Sequence, residues 1–151
     1  MPPTIRRATP ADAAVVAEFN RLLALESEGK TLDPALLQPG VAAALSDPHK
    51  ALYFVAEDAG RVVGQMMITY EWSDWRNGWI WWIQSVYVWA DSRRRGVFRS
   101  LFNHAEEAAR QDGQVVALRL YVEKDNHAAQ KTYDRLGMKP AGYFVHEKYP
   151  I

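Results

Sequence analysis

The chain has 151 residues, with 18 basic and 18 acidic side chains and an apolar fraction of 48%. This length predicts one domain with a substantial core, and the balanced charge excludes a whole-protein field that would attract nucleic acid or an anionic membrane. The absence of cysteine excludes disulfides, thiolate nucleophiles and cysteine-based zinc sites, and the lack of a signal-peptide pattern or of an apolar run of ~20 residues predicts a cytoplasmic protein.

The first third of the chain has a short strand pattern followed by two helical patterns. Thr4–Ala8 is the predicted strand, and Thr9–Asp12 then begins a helix, with Thr9 as the cap, proline at the first helical position and aspartate as a short capping-box acid. Asp33-Pro34 opens a second helix. Pro39-Gly40 is expected to interrupt or kink that helix before Val41–Leu45 continues it.

The middle of the chain is typical of strands. Ala51–Glu57 and Val62–Tyr70 flank a polar turn and predict a hairpin. Asn77-Gly78 is a second strong turn signal. Trp79–Trp89 is a long run of mainly aromatic and β-branched residues, which is the strongest strand signal in the chain.

The last third alternates between helix and strand. A helix follows Gly96 and ends at Asp112-Gly113, Val115–Val122 is a strand, Asn126–Leu136 is a helix, and Ala141–Tyr149 is a final strand. The order β-α-α-β-β-β-α-β-α-β predicts one mixed α/β domain over residues 1–151. Its strand-helix-strand-helix part requires parallel neighbours.

The basic turn Arg93–Arg99 carries the most chemical information. A helix N-terminus offers unpaired N–H groups and partial positive charge, a glycine permits close backbone approach, and four arginines add side-chain charge. These features together favour a phosphate or pyrophosphate site. A solvated basic turn has the same composition, and neither a dinucleotide fingerprint nor a P-loop is present.

Two segments resemble the signatures of the GCN5-related N-acetyltransferase (GNAT) family. Arg93-Arg94-Arg95-Gly96-Val97-Phe98 is similar to the family's Q/R-x-x-G-x-G/A loop, with Phe98 in place of the small last residue. The stretch from Asn126 through Tyr133 to Leu136-Gly137-Met138 is similar to its N-x-x-A-x-x-x-Y-x-x-x-G-F/M signature. Phe98 would fit the loop if its ring turns inward. The order of the predicted elements also matches the family's plan.

The resemblance implies a GNAT-like sheet that splays between the strands at 79–89 and 115–122 and binds acetyl-CoA in the gap, without a metal. The N–H groups of residues 94 to 99 would hold the pyrophosphate and the backbone of 86–88 would pair with the pantetheine arm. The residues implied to contact acetyl-CoA are Val86, Tyr87, Val88, Arg93, Arg94, Arg95, Gly96, Val97, Phe98, Arg99, Asn126 and Lys131.

The implied reaction is direct attack of a primary amine on the acetyl thioester. By resemblance Tyr133 is the general acid for the departing thiolate, and a backbone N–H in Tyr87–Val88 stabilises the oxyanion. Gln84 occupies the place where many members carry a catalytic glutamate, so the base must come from elsewhere. Glu71 is the first candidate and Glu28 the second, although each is also typical of a surface acid.

The six tryptophans allow several interpretations, and the sequence leaves more than one function open. Trp79, Trp81 and Trp89 are predicted on one strand face, and the tryptophans suit core packing, an amine pocket around Glu71 or a homodimer surface. The predicted acceptor is a small-molecule amine, with no nucleic acid or membrane partner, and the family resemblance implies a homodimer. A CoA-binding module without catalysis is the main alternative, because of Gln84 and Phe98. A nucleic-acid binder using the arginines is disfavoured by the neutral net charge.

Overall fold

The computed structural model describes all 151 residues, which form two compact units, residues 1–120 and residues 121–151. The first unit contains the sheet and three α-helices, and the second contains the fourth helix. The mixed α/β fold class predicted from the sequence is confirmed.

Five strands form one sheet in sequential order. Neighbouring strands from the first to the fourth are antiparallel, and the fourth and fifth are parallel, as the predicted crossover through a helix requires. The strands are β1 (Thr4–Arg7), β2 (Leu52–Asp58), β3 (Arg61–Ser73), β4 (Gly78–Val88) and β5 (Val115–Leu120).

Four α-helices are present, and the first three belong to the first unit. They are α1 (Ala13–Glu28), α2 (Pro34–Ser46), α3 (Val97–Asp112) and, in the second unit, α4 (His127–Arg135). Their ends follow the sequence signals: the Asp33 carboxylate accepts a bond from the Ala35 N–H, and Gly113 adopts the left-handed conformation after α3.

Two details of the first helices differ from the prediction. A short 3₁₀ turn, Pro10–Asp12, precedes α1, although the expected bond from the Thr9 N–H to the Asp12 carboxylate is present. The second helix runs unbroken from Pro34 to Ser46, so the interruption predicted at Pro39-Gly40 is wrong. Pro39, the sixth residue of the helix, lacks only its own N–H bond, and the bonds on either side of it keep the helix continuous.

Helices pack on the sheet, and the sheet contributes most of the core. Val16 of α1 and Val41 of α2 join Tyr53 and Val55 of β2 in one buried cluster. Helix α3 buries Leu101, Phe102 and Ala105. Gly64 of β3 lies so close to α3 that a Cβ there would meet the Val97 side chain.

The final strand predicted over Ala141–Tyr149 is not formed, since residues 141–149 contain neither helix nor strand. Alternating apolar and aromatic residues suggested a strand here. A segment with this pattern forms a strand only when a neighbouring strand supplies the hydrogen-bond ladder. Gly142 adopts a left-handed conformation with φ of 84°, which breaks the extended path within the segment.

Candidate functional site

The open edge of β4 is the first feature of the site. β5 pairs with β4 from Trp79 to Ile83 only, whereas β4 continues to Val88. Residues 84–88 therefore have no strand neighbour on that side of the sheet. Their outward N–H and C=O groups can pair with an extended ligand, as an added strand would.

A β-bulge interrupts β4 at the start of this open edge. Met67 pairs with Gln84 and Gln65 with Tyr87, so two residues of β4 lie opposite one of β3. Ser85, in the bulge, has a φ of 51°, in the left-handed region. A bulge of this kind shifts the alternation of the strand by one residue.

The contacts of neighbouring side chains confirm that shift. Gln84 lies opposite Met67 and Tyr87 lies opposite Gln65, two residues of β3 that share a face, so Gln84 and Tyr87 share that face although regular alternation would separate them. Tyr87 and Trp89 both pack on Phe19 of α1 on this side of the sheet. Trp89 therefore does not share a strand face with Trp79 and Trp81, and the prediction that it does is wrong. Strict alternation from 79 to 89 fails because the bulge adds a residue.

One hydrogen bond shows which backbone N–H and C=O groups of β4 face the open edge. The Trp89 N–H donates to the Val63 carbonyl at 2.8 Å, so this residue faces β3. Because N–H direction alternates along a strand, Val88 presents its N–H and C=O to the open edge, and Tyr87 does not. Within the Tyr87–Val88 stretch, Val88 is the residue whose N–H can reach a ligand there.

The basic turn follows β4 after a short 3₁₀ turn, Ala90–Ser92, and leads into α3. Arg94 and Gly96 have left-handed conformations, with φ of 63° and 76°, and α3 begins at Val97. The N–H groups of Arg94, Arg95, Gly96 and Val97 make no hydrogen bond within the first unit. A Cβ at Gly96 would meet no atom within 4 Å, so the space before these amides is open. The predicted anion site therefore has free donors at a helix N-terminus.

Arg93 differs from the other arginines of the turn because its side chain is occupied. Its Nε donates to the Val88 carbonyl at 2.9 Å, its Nη2 lies 2.8 Å from Glu26 Oε1, and its guanidinium lies 5.3 Å from the Tyr87 ring centroid. The Tyr87 hydroxyl donates to Glu26 Oε2 at 2.6 Å. The Glu26 cluster, defined as Glu26, Tyr87 and Arg93, thus ties the end of α1 to the turn.

The charges of the Glu26 cluster affect the protonation of its members. The hydrogen bond from Tyr87, and then the Arg93 guanidinium, lower the pKa of Glu26. Burial, and then the neighbouring Glu26 carboxylate, raise the pKa of Tyr87 to about 12. Glu26 was not predicted, because its partners are 61 and 67 residues away and no local pattern marks it.

Phe98, the departure from the family's loop pattern, is half-buried. Its ring centroid lies 6.1 Å from that of Phe102, a buried residue of α3. The ring therefore lies beside a core residue of its own helix, which is consistent with the inward placement that the loop requires.

The two predicted bases are both engaged with other side chains. Glu71 Oε1 accepts a bond from Trp82 Nε1 at 2.9 Å, and its Oε2 lies 3.6 Å from Arg119 Nη1. Glu28 is exposed and lies 3.9 Å from Lys30 Nζ. The structure therefore does not place either carboxylate unpaired beside the bulge.

Two exposed tryptophans lie at the end of the hairpin that β3 and β4 form. The Trp72 ring packs edge-on against Trp79, with centroids 5.2 Å apart, and Trp75 is 91% exposed at the hairpin tip. Because Trp72 follows Glu71 in β3, the two side chains lie on opposite faces of the sheet, and an amine pocket formed by Trp72 and Trp75 around Glu71 stays one interpretation among the three. A surface pocket of about 610 Å³ on the other side of the hairpin is lined by Tyr70, Trp79 and Trp81 among others.

The second unit holds the other signature. Asn126 Oδ1 accepts from the Ala129 N–H at 3.1 Å and so caps α4, and Lys131 is exposed. Tyr133 is in the last turn of α4, and burial raises its pKa, so the phenol keeps its proton at neutral pH. Gly137, with φ of 86°, follows the helix in the left-handed conformation.

Metal-ligand groups and membrane-spanning helices are two further features by which classes of protein differ. No group of three or more histidine, aspartate or glutamate side chains is arranged to hold a metal ion. None of the helices combines the length and the apolar character needed to cross a membrane.

Comparison with known proteins identifies the family. The model of the Acetyltransferase (GNAT) family matches residues 17–138. A solved structure described as a possible acetyltransferase from Clostridium difficile 630 is 46% identical, with a TM-score of 0.92 over 100% of this chain and 99% of its own. No curated protein matches the chain.

More distant structures share the fold. A predicted acetyltransferase with acetyl-CoA from Clostridium acetobutylicum is 16% identical, with a TM-score of 0.80 over 97% of this chain and 96% of its own. A ribosomal-protein-alanine N-acetyltransferase from Brucella melitensis biovar Abortus 2308 is 16% identical, with a TM-score of 0.79 over 98% of this chain and 99% of its own. The family match over most of the chain, together with the open strand edge and the free amides that follow it, shows that this protein belongs to the GNAT acetyltransferase family.

Proposed function

We propose that this protein transfers the acetyl group of acetyl-CoA to a primary amine of a small molecule, by direct attack in a ternary complex. One observation supports the proposal above the others. The open edge of β4 leads, through the 3₁₀ turn Ala90–Ser92, to a turn whose amides, from Arg94 to Val97, have no partner within the first unit. An extended arm ending in a diphosphate matches that sequence of donors.

The cofactor would use backbone more than side chains. Val86 and Val88 would pair with the pantetheine arm, and the amides from Arg94 onward would bind the pyrophosphate. Arg94, Arg95 and Arg99 are exposed and can add charge, whereas Arg93 would support the turn through its bonds to Val88 and Glu26. In the second unit Asn126 and Lys131 remain proposed contacts.

The chemistry requires a neutral amine, a stabilised oxyanion and a protonated leaving group. The Val88 N–H faces the open edge and is the proposed oxyanion donor. Tyr133 is the proposed acid, because a protonated phenol can donate to the CoA thiolate.

Removal of the proton from the amine is the most demanding step. Only roughly a thousandth of an alkylamine is neutral at pH 7, a cost of about 4 kcal/mol. Glu71 and Glu28 remain the proposed bases, and Glu71 would have to exchange its contact with Arg119 for the amine.

A second candidate function, a CoA-binding module without catalysis, is favoured by one specific observation. Gln84 stands beside the bulge with its Nε2 bonded to Thr69 Oγ1 at 2.5 Å, and a carboxamide is not a base. If the acceptor's proton has no receiver, the site would bind the cofactor without turnover.

One experiment separates the two functions. CoA binding is measured by calorimetry on the purified chain, and thiol release from acetyl-CoA is followed over a panel of amino acids, polyamines, aminoglycosides and N-terminal peptides. Turnover with a small amine supports the transferase, and binding without turnover supports the module. Failure to bind CoA at millimolar concentration would overturn both.

A further inference from the structure

The bulge in β4 is held by a buried side chain that no motif identifies. Gln65 of β3 is fully buried, with 0% of its surface exposed. Its Nε2 donates to the Ser85 carbonyl at 3.0 Å and to Asn20 Oδ1 of α1 at 3.1 Å. Asn20 in turn donates to the Tyr53 hydroxyl at 3.2 Å. The bulged residue is thereby linked to β3 and α1 through one carboxamide.

The polarity of this network needs an explanation beyond packing. Gln65 Oε1 is buried and has no hydrogen-bond partner, which is an unfavourable state for a polar atom. An apolar side chain of similar volume would fill the same space without that cost. The donor half of the amide is therefore the part that the site uses, and it is directed at the Ser85 carbonyl.

The bulge needs such support because its backbone is strained. Ser85 has a φ of 51°, a region that side chains other than glycine rarely adopt. The bulge also takes the Ser85 carbonyl out of the regular ladder, so that carbonyl needs another donor. Gln65 supplies it at the residue that pairs with Tyr87, next to the bulge.

Loss of the bulge would change which amides face the ligand. With the bulge, Trp89 donates to Val63 and Val88 faces the open edge. With a regular strand, the alternation would shift by one residue, and Val88 would turn toward β3. The open edge of β4 would then lose the Val88 amide, which the proposed function assigns to stabilising the oxyanion.

We propose that Gln65 is a positioning residue for acetyl transfer: its bond to the Ser85 carbonyl fixes the bulge that turns the Val88 amide toward the cofactor. The proposal rests on the proposed function for its catalytic consequence. The link between Gln65 and the direction of the β4 amides stands apart from it.

The test compares Gln65→Met with a rescue variant. Methionine keeps the length and removes the donor, so kcat/KM for acetyl-CoA should fall by about ten-fold or more at a temperature where the variant is fully folded. Hydrogen exchange should show the Trp89 amide losing about ten-fold protection, since its bond to Val63 depends on the bulge. Ile68→Val, a buried change on the same strand and opposite face, is the control that should leave both readouts unchanged.

Rescue distinguishes positioning from packing. Ser85→Gly removes the strain of the left-handed φ, so Gln65→Met/Ser85→Gly should recover kcat/KM and Trp89 protection to within about three-fold of Ser85→Gly alone. Wild-type exchange and kinetics in Gln65→Met would overturn the proposal, and so would losses that Ser85→Gly does not reverse. If Gln65→Met folds in neither background, the bulge is not what it supports, and the proposal is also overturned.

The exchange measurement keeps the two proposals separate. If the wild-type protein shows no turnover, the proposed function fails while Trp89 and Val88 protection still reports on Gln65. If turnover is present and Gln65→Met leaves Trp89 protection intact, the positioning role fails alone.

Discussion

Gly64→Ala tests the close packing of β3 against the start of α3, which follows the turn proposed to bind the pyrophosphate. A Cβ at Gly64 would lie 2.8 Å from Val97 Cγ1 and 3.3 Å from the Tyr87 carbonyl oxygen. Valine is stiff at χ1, and the carbonyl belongs to the sheet, so neither atom can move freely. Because Val97 is the first residue of α3, relief of the contact must displace the start of the helix.

The expected size follows from general magnitudes. Overpacking of this kind costs about 1–3 kcal/mol, and the reduced freedom of the unfolded chain returns about 0.4–1 kcal/mol. The net loss of about 1–2 kcal/mol corresponds to a fall in Tm of about 3–6 °C for a chain of 151 residues. CoA should also bind several-fold more weakly, because the amides at the helix start are displaced.

The assay is thermal unfolding by circular dichroism together with CoA calorimetry. Gly40→Ala is the matched control, since Gly40 lies within α2 with no atom within 4 Å of its Cβ position, and alanine there should raise Tm. Gly64→Ala/Val97→Ala should recover part of the loss by making room. A Gly64→Ala protein with unchanged Tm and unchanged CoA affinity would refute the reasoning.

Three further changes test other parts of the molecule. Gly96→Glu, which adds charge and bulk at a left-handed position before the free amides, should abolish CoA binding in calorimetry; full affinity would place the pyrophosphate elsewhere. Tyr133→Phe should lower kcat by roughly ten-fold or more with little change in CoA affinity, and unchanged turnover would remove Tyr133 from the mechanism. The Arg6 hydrogen bonds lower the pKa of Asp12 below its unfolded value of about 3.9, so their stabilisation is complete above about pH 5 and is lost as the pH falls through the folded pKa. Asp12→Asn should therefore lower Tm at pH 7, with a difference from wild type that closes toward pH 3; a difference independent of pH would contradict the linkage.

Local sequence signals predicted most of the fold. The hairpins follow from Asn77-Gly78 and from the polar turn before β3, and the ends of α3 follow from glycines in left-handed positions. Residues 141–149 show the limit of such signals, since alternation alone does not form a strand. Pro39 shows a second limit, because a proline that predicted a break in the helix is tolerated where the surrounding helix accepts one missing hydrogen bond.

The site was predictable where its residues are neighbours in sequence and not where they meet through folding. The turn from Arg93 to Val97 is one continuous segment, and its glycine and arginines were informative without any structure. Glu26 and Gln65 act on residues 20 to 67 positions away, and each has an ordinary local context. Nothing in a single sequence distinguishes such residues from a surface acid or a strand amide.

The extra residue at Ser85 has a practical consequence for anyone who engineers this protein. The inward and outward positions of β4 follow one alternation before the bulge and the opposite alternation after it. A mutagenesis library that assigns inward and outward positions from Trp79 onward would randomise the wrong half of residues 86–89. A single deletion between Gln84 and Tyr87 would leave one regular alternation along the whole strand, and the side chains beyond it would keep the faces that they have now.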